Sequence, residues 1–423
     1  GVIIITTKRG LSEKPQVAFN ASVSFSDWAN LPARVTDDEV FLKNRFYAKQ
    51  AAGSDITKTD VFSMDDAMVQ KLLNPTEYDA YKAGQKIDWV REVSRLGVGQ
   101  KYDLSVSGRS KKTSYYISGN YTRQQGILIG DDYEKMTVLS KVDINVTDWL
   151  TVGLKANYLG GHSWGQTAAI QNAMYVSPYS YRYSRVEGYE DWPNSQPDGN
   201  ITSPFIGGSS NSSLYTDKTS KSSNLNGVFY AQVDFPFLKG LAAKVSGSFD
   251  YSISYNKNLS TPYKMMSHTK NDAGEWVWNS RTDNPHVSDN VTNLGEGTTF
   301  SQQLVGQAGL SYVNSFGKNN IDALALMEVR EYKGNGLSAY AKNLPFASLP
   351  ELSTGIATNS PIGGWSSAAR NAGFVFRAKY DYDEKYLAEF TGRYDGSYKF
   401  AGMSNTRWGF FPSASLGWRI SKE

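Results

Sequence analysis

The segment TVLSKVDINVTDWLTVGLKANY, residues Thr137–Tyr158, decides how the rest of the chain is interpreted. Apolar and polar residues alternate along both of its halves, and the short polar stretch Asn145–Trp149 separates them. Alternation with a period of two is typical of a β-strand that has one apolar and one polar face. The segment therefore predicts two antiparallel strands joined by a tight turn.

The same alternation recurs along the chain and predicts about twelve strands, which makes the protein all-β. The first candidate is Val17–Phe25 and the last is Trp408–Ile420. Between them lie, among others, Phe229–Phe235, Leu241–Phe249, Gln302–Asn314, Ile321–Arg330, Phe374–Tyr382 and Tyr386–Tyr394. Short helices are predicted only inside the long connections, over Asp37–Ala52 and Thr167–Val176.

The connections between these strands alternate in length. Short ones fall at Ser110–Lys112, Asn145–Trp149, Pro236–Gly240, Ser315–Asn319 and Asp381–Lys385. Long ones fall at Asp27–Gln100, Gln124–Tyr133, Gly161–Leu225, Asn256–Thr298, Lys333–Gly364 and Asp395–Arg407. Tight turns at one end and long loops at the other are typical of a transmembrane, antiparallel, up-and-down β-barrel with extracellular loops. A soluble sandwich or propeller gives no reason for this alternation.

Composition excludes several other classes. The 423 residues carry 44 Lys and Arg against 41 Asp and Glu, a net charge of +3, which indicates no nucleic-acid groove. With a mean hydropathy of −0.46 and Val2–Ile5 as the longest aliphatic run, the sequence offers no membrane-spanning helix. The chain has no cysteine, so disulfides and thiolate metal sites are excluded.

The polar faces of the candidate strands carry charges, which indicates contact with water. The charged members are Lys141, Asp143, Lys155, Lys244, Asp250, Arg377, Lys379, Glu389 and Arg393. They would be costly in a dry core and are ordinary on the wall of a wide, hydrated lumen. Tyrosines near the predicted strand ends are consistent with an interfacial girdle, although tyrosine is also simply favoured in strands.

One motif resembles a catalytic signature. GHSWG at Gly161–Gly165 fits the nucleophile elbow of hydrolases, with Ser163 as the nucleophile. An elbow follows a continuously apolar parallel strand, whereas Leu150–Tyr158 alternates. The only histidines, His162, His268 and His286, have no metal-ligand spacing. We therefore expect no catalytic residue, no metal and no cofactor, and interpret the motif as the entry to a long loop.

Five blocks resemble SusC/RagA-like TonB-dependent outer-membrane transporters. GVIIITTKRG at Gly1–Gly10 is similar to the last strand of the plug domain, and Asp88–Leu159 to the first barrel hairpins. SPYSYRYSRVEGY at Ser177–Tyr189 resembles the Ser-Pro-Tyr loop of the family. KYDYDEKYLAEFTGRYDGSYKF at Lys379–Phe400 and RWGFFPSASLGWRISKE at Arg407–Glu423 resemble its mid-barrel signature.

The resemblance implies a domain organisation and a function. Residues 1–10 would end the plug, and residues 11–423 would form the N-terminal half of a barrel, about 12 of about 22 strands. The whole protein would be a multi-pass importer in the outer membrane of a Bacteroidetes-type bacterium, and not an enzyme. It would take up oligosaccharides, or peptides as the second class. The resemblance also implies a SusD/RagB-like lipoprotein lid and energy from a TonB–ExbB–ExbD complex, reached through an N-terminal segment outside this sequence.

A glycan ligand favours aromatic faces flanked by hydrogen-bonding groups. Two long loops concentrate such residues, and they are the candidate ligand-binding set. The set comprises Tyr175, Tyr179, Tyr181, Tyr183, Tyr189, Trp192, Trp276 and Trp278. Packing within the loops or against a partner protein is the alternative role for each of them.

Two alternatives to an importer stay open at this point. A passive porin would have an open lumen, which the plug-like Gly1–Gly10 disfavours. A secreted β-rich adhesin or glycan-binding protein would not fractionate with membranes.

Overall fold

The structure is a computed structural model. It describes residues 10, 12–32, 37–53, 56, 65–165, 170–180, 190–191, 204, 216–261, 265–270, 273, 276–281, 291–356, 362–400 and 407–422. In this part of the chain, no helix is both long enough and apolar enough to cross a membrane.

Strands dominate the described residues. They are β1 (Gln16–Ser26), β2 (Gly97–Arg109), β3 (Thr113–Gln125), β4 (Asp132–Asn145), β5 (Leu150–Gly165), β6 (Glu190–Asp191), β7 (Thr216–Asp234), β8 (Leu241–Ser260), β9 (Met265–Lys270), β10 (Trp276–Arg281), β11 (Asn293–Phe316), β12 (Asn319–Lys342), β13 (Gly363–Tyr382), β14 (Tyr386–Ser397) and β15 (Trp408–Trp418). Twelve of them form one sheet in chain order, and β10, β9 and β6 form a small second sheet. Every pairing in the large sheet is antiparallel, which confirms the predicted up-and-down arrangement.

The connections alternate in length as predicted. Turns at 110–112, 146–149, 235–240, 317–318 and 383–385 lie at one end of the sheet, which we call the short-turn end. The other end, the long-loop end, carries the remaining connections. In the last short turn Asp383 and Glu384 both have positive φ, 56° and 52°, as the two central residues of a type I′ turn require.

The register keeps one face of the large sheet apolar from edge to edge. Leu154 of β5, for example, lies opposite Val142 of β4 and Phe229 of β7. Lys155, the next residue, lies opposite Lys141 on the other side of the sheet. We call these sides the apolar face and the polar face. Because the side-chain period of a strand is two, this agreement over twelve strands fixes the register.

Aromatic residues border the apolar face. At the short-turn end the rings of Tyr382 and Tyr386 stack with centroids 6.5 Å apart. Toward the long-loop end Tyr102 lies opposite Tyr121. From Leu150 to Tyr158 the apolar stretch of β5 measures about 26 Å along the strand at about 3.3 Å per residue, close to the height of the lipid-facing band of a membrane barrel.

Several strands are longer than the sequence predicted. β11 and β12 each have 24 residues, and they stay paired from Phe316↔Asn319 to Asn293↔Lys342. The prediction for β12 ended at Arg330 because apolar alternation stops there. Beyond that point Glu331, Lys333 and Asn335 interrupt the apolar face while backbone pairing continues, so the pattern that marks a half-buried strand is lost.

Among the described residues, five α-helices lie in two long connections. They are α1 (Asp38–Ala51), α2 (Asp66–Leu72), α3 (Pro75–Lys82), α4 (Trp89–Glu92) and α5 (Ile170–Tyr175). The predicted helix over 37–52 is confirmed as α1, whereas α2, α3 and α4 were not predicted. We call α1–α5 together with residues 176–180 the helical unit. Most of the fully buried residues of the described chain lie there, because the large sheet leaves its apolar face uncovered.

Candidate functional site

Each helix of the β1–β2 connection begins at a side chain that caps it. Asp37 accepts from the amide of Val40, and Asp65 accepts from that of Met68, both over 2.9 Å. Asn74 and Glu77 form a capping box, in which each side chain accepts from the other residue's amide. Such caps satisfy amides that a helix cannot pair internally, so short polar segments become defined helices.

Glu77 connects three parts of the helical unit. Its side chain is 3% exposed and pairs with the Arg45 guanidinium of α1. It also accepts from the amide of Asn74 over 3.0 Å and interacts with the Ser177 hydroxyl of the β5–β7 connection. Burial raises the pKa of Glu77, and the Arg45 charge opposes that rise. A buried carboxylate with these partners holds the two connections together.

Trp89 forms a second link between the same two connections. Its indole N–H lies 3.0 Å from both the Ser177 carbonyl and the Ser180 hydroxyl oxygen. The ring is 2% exposed and packs with Val93 of its own connection and Val176 of the other. The amide of Ile87 adds a 2.8 Å bond to the Pro178 carbonyl. The long-loop end therefore carries one packed unit built from two loops.

The predicted ligand-binding aromatics fall into three groups. Tyr175, at the end of α5, is 67% exposed, whereas Tyr179 is 2% exposed. The Tyr179 ring makes edge contacts with Phe41 and Tyr81, with centroids 5.3 Å apart in each case. The backbones of Trp276 and Trp278 lie in β10. Tyr181, Tyr183, Tyr189 and Trp192 lie outside the described residues.

The polar face carries charges of both signs in local pairs. On the first strands Tyr230 donates to Asp143 over 2.7 Å, and the Lys244 ammonium lies 4.4 Å from the Tyr230 ring centroid. On the last strands Arg377 donates to both oxygens of Asp322 over 3.0 Å. At these paired places the local field is small, which suits a polar ligand of low net charge better than an ion.

A cavity of about 580 Å³ opens on the polar face near the long-loop end. Its floor includes Phe411, and Phe400 lies beside it. Around these rings lie Glu328, Arg330, Asn371, Arg393 and Asp395. Aromatic faces surrounded by amide, carboxylate and guanidinium groups are the chemistry that binds pyranose rings or peptide segments.

The sequence did not single out this cavity. Phe410 and Phe411 are adjacent, and only the register shows that Phe410 lies on the apolar face opposite Tyr394 while Phe411 lies on the polar face opposite Arg393. One feature of the sequence could have indicated the cavity. Two adjacent aromatic residues break the apolar–polar alternation of β15, so one of the two rings must lie on the polar face.

The hydrolase alternative does not agree with the position of Ser163. This residue lies near the end of β5, opposite Tyr133 of β4 and Ser220 of β7, in antiparallel pairs. A nucleophile elbow needs a sharp turn between a strand and a helix. In the described part of the chain, no group of three or more His, Asp or Glu residues is arranged to hold a metal ion.

The start of the described chain lies on the polar face. The Gly10 carbonyl accepts from the Ser114 hydroxyl over 2.9 Å, and the Ser12 carbonyl accepts from the amide of Arg109 over 2.8 Å. A Cβ on Gly10 would lie 2.1 Å from the Gly108 carbonyl oxygen, so this close approach requires glycine. The chain therefore reaches β1 from the polar face of the sheet.

A sheet with one apolar and one charged face, and with alternating short and long connections, is part of the wall of a membrane β-barrel. Comparison with known proteins specifies the class. Over its whole length the chain is similar to TonB-dependent receptors of the SusC/RagA type, which confirms the resemblance drawn from the sequence. Receptors of this class are outer-membrane proteins and not enzymes, so those two predictions are also confirmed.

Two relatives illustrate the match. TonB-dependent receptor P3 of Formosa agariphila is 27% identical over 436 residues, which cover 100% of this chain and 37% of the receptor. TonB-dependent receptor SusC of Bacteroides thetaiotaomicron is 26% identical over 446 residues, covering 100% of this chain and 39% of SusC. The chain thus spans well under half the length of these relatives. No protein-family model matches it.

The fold agrees with a solved structure. The RagAB peptide transporter superposes with a TM-score of 0.74 at 20% identity, over 99% of this chain and 46% of the transporter chain. The same complex described as a peptide importer in an open-open state gives a TM-score of 0.72 at 22% identity.

Proposed function

We propose that the chain forms the plug exit and the first half of the barrel wall of an active outer-membrane importer, with residues 1–10 ending the plug and residues 11–423 in the barrel. The continuous apolar face supports this proposal most strongly, since it leaves large side chains such as Leu154 and Phe229 exposed to what would be lipid. The opposite, charge-paired face would then line a hydrated lumen.

The proposed cargo is an oligosaccharide. Phe411 and Phe400 offer ring faces, and Arg393 and Asn371 offer hydrogen bonds beside them. We also propose that exposed loop aromatics contact the ligand before it reaches the lumen. Of the set named from the sequence, Tyr175 has the exposure that this role needs. The same role is proposed for the loop tyrosines and tryptophans outside the described residues.

Two protein partners belong to the proposal. A SusD/RagB-like lipoprotein would sit as a lid on the long-loop end, where the helical unit offers a preformed surface. A TonB–ExbB–ExbD complex would supply energy through a segment N-terminal to this sequence. The support is the similarity to receptors named TonB-dependent and to a structure described as the RagAB peptide transporter.

A peptide is the second candidate cargo. The RagAB structures are described as a peptide transporter and importer, and the polar face carries both charge signs, which suits a peptide's termini and side chains. One experiment separates the two. The full-length receptor, purified with any lipoprotein that accompanies it, is titrated calorimetrically with oligosaccharide and with peptide libraries. Oligosaccharide binding that weakens in Phe411→Ala supports the main proposal, and binding of peptides alone would replace it.

Uptake measurements test active transport itself. In a strain that depends on the receptor, deletion of TonB should abolish uptake of the cargo. Uptake that persists without TonB would indicate a passive porin. Receptor recovered from the medium and not from outer membranes would indicate a secreted adhesin.

A further inference from the structure

The apolar face contains a trough near its long-loop end. The register places Gly306, Val329, Ala372, Gly396 and Trp408 side by side in one row across five strands. Four of these residues are small or short, so the row is shallow. The next row toward the short-turn end is tall, because it contains Met327, Phe374, Tyr394 and Phe410.

Trp408 closes one end of the trough. Its indole stacks on the Tyr394 ring with centroids 5.0 Å apart and an interplanar angle of 19°. A Cβ added to Gly396 would lie 2.7 Å from the indole, so the ring lies flat over that glycine. The resulting cavity measures about 580 Å³, and its floor and walls are mainly apolar.

Cationic side chains border the trough on the side nearer the long-loop end. In the row above it, Glu331 lies opposite Arg370, and the shortest distance between their charged groups is 2.7 Å. Lys333 lies 3.2 Å from the same carboxylate, and Arg407 also lines the cavity. Arg370 and Lys333 both pair with the single Glu331 carboxylate, so this border carries more positive than negative charge. Arg370 is 76% exposed and presents its guanidinium outward.

We propose that this trough binds a phosphorylated, acylated lipid, with an acyl chain along the row from Val329 to Trp408 and a phosphate on Arg370 and Lys333. The site lies on the apolar face, which contacts lipid only if the protein is the proposed membrane barrel. The inference therefore rests on the proposed function. A guanidinium binds phosphate through paired hydrogen bonds, and the apolar floor one row below suits the chain attached to such a headgroup. The trough and its cationic border then hold one lipid at a defined position, whereas the rest of the apolar face contacts the bilayer without specificity.

The test uses full-length receptor extracted from native outer membranes in mild detergent. Bound lipid is counted by native mass spectrometry after incubation with nanodiscs that contain either a phosphorylated, acylated glycolipid or its dephosphorylated form. We expect Arg370→Ala with Lys333→Ala to lower retention of the phosphorylated lipid about fivefold. Ala372→Phe, which fills the trough, should lower retention of both lipids.

The matched control removes two cations at the opposite end of the sheet, with Arg419→Ala and Lys422→Ala, and should retain lipid like the unmodified receptor. Equal lipid retention in all variants would overturn the proposed site. A mass that shows a second receptor copy bound to this face in place of lipid would overturn it too. These results leave the proposed function intact if the receptor still sediments with the outer membrane. A receptor that does not sediment there would overturn both proposals.

Discussion

Trp89 donates its indole N–H to the backbone carbonyl of Ser177 over 3.0 Å, joining segments 88 residues apart in the chain. The two residues belong to different connections at the long-loop end of the sheet. Their bond is buried, so it joins the described parts of the two loops into one packed unit. A surface held in this way is available for a partner or ligand without first being ordered.

Removing the Trp89 ring should open the helical unit. Trp89→Ala leaves a cavity among Val93, Ala173 and Val176, and we expect a loss of about 3 kcal/mol or more in the unit's opening free energy. Trp89→Phe keeps most of the packing but loses the hydrogen bond, which should lower the opening free energy by about 1 kcal/mol. Hydrogen exchange of residues 65–93 in the full-length receptor measures both. Trp149→Ala, in an exposed short turn, is the control, and an unchanged exchange pattern in Trp89→Ala would contradict the packing role.

Removing the Glu77 carboxylate should destabilise the same unit. Glu77→Ala leaves the Arg45 guanidinium without its buried partner, and we expect a loss of about 3 kcal/mol. The control is Glu39→Ala, which removes the solvent-exposed partner of Lys43 and should leave the stability of the unit nearly unchanged, because water screens that pair. Protease cleavage rates within α1 give the comparison. Similar rates in the two variants would show that the buried pair contributes little.

Acid should loosen the contact between α1 and the rest of the unit. The Lys86 ammonium, which pairs with Asp38, holds the pKa of that carboxyl below its ordinary 3.8. Because the folded pKa is lowered, the stabilisation is fully present above the ordinary value and is lost as the pH falls through the lowered one. Hydrogen exchange in α1, corrected for the intrinsic effect of pH, should rise in this range.

Asp38→Asn should weaken the contact at neutral pH and remove its loss in acid. Glu77 acts in the opposite direction, because its raised pKa favours the uncharged form as the pH falls. If Asp38→Asn kept the full pH dependence, the assignment to Asp38 would be wrong.

Neighbouring residues on opposite faces of β15 should differ in their effect on ligand. Phe411→Ala removes the ring from the cavity on the polar face and should weaken binding about tenfold, the value of one stacking contact. Phe410→Ala removes an equal ring from the apolar face and should leave the dissociation constant unchanged. Calorimetric titration with the identified cargo measures both dissociation constants. Equal effects of the two substitutions would show that the cavity does not contact the ligand.

A charge should be tolerated on one face of β5 only. Leu154→Arg places a guanidinium in the middle of the apolar face and should cost about 2–4 kcal/mol of folding free energy in a bilayer. Asn157→Arg places the same side chain on the polar face and should cost under about 1 kcal/mol. Urea unfolding of the full-length receptor in liposomes, followed by heat-modifiable gel migration, measures the difference. Equal costs would contradict a lipid-facing apolar side.

Strand prediction succeeded where one face is apolar and ended where that face ends. β14 was predicted as Tyr386–Tyr394 and extends three residues further, to Ser397, because its alternation covers nearly all of it. β12 continues to Lys342, but Glu331, Lys333 and Asn335 interrupt its apolar face, and backbone pairing alone leaves no hydrophobic period in the sequence. The α3 helix had a readable signal, since Asn74-Pro75 followed by Glu77 is a capping box with proline at the first helical position.

By itself, the sequence determined the approximate number of strands in the large sheet, their antiparallel order and which residues lie on opposite faces, because each is a local consequence of a two-residue period and of loop length. The tertiary structure decided which side chains meet across the sheet and between loops. Tyr179 shows the difference: from its neighbours it is one more loop aromatic, yet its ring lies between Phe41 and Tyr81, more than ninety residues away in the chain. Contacts at such separations depend on how two long connections pack, and no local period records that packing.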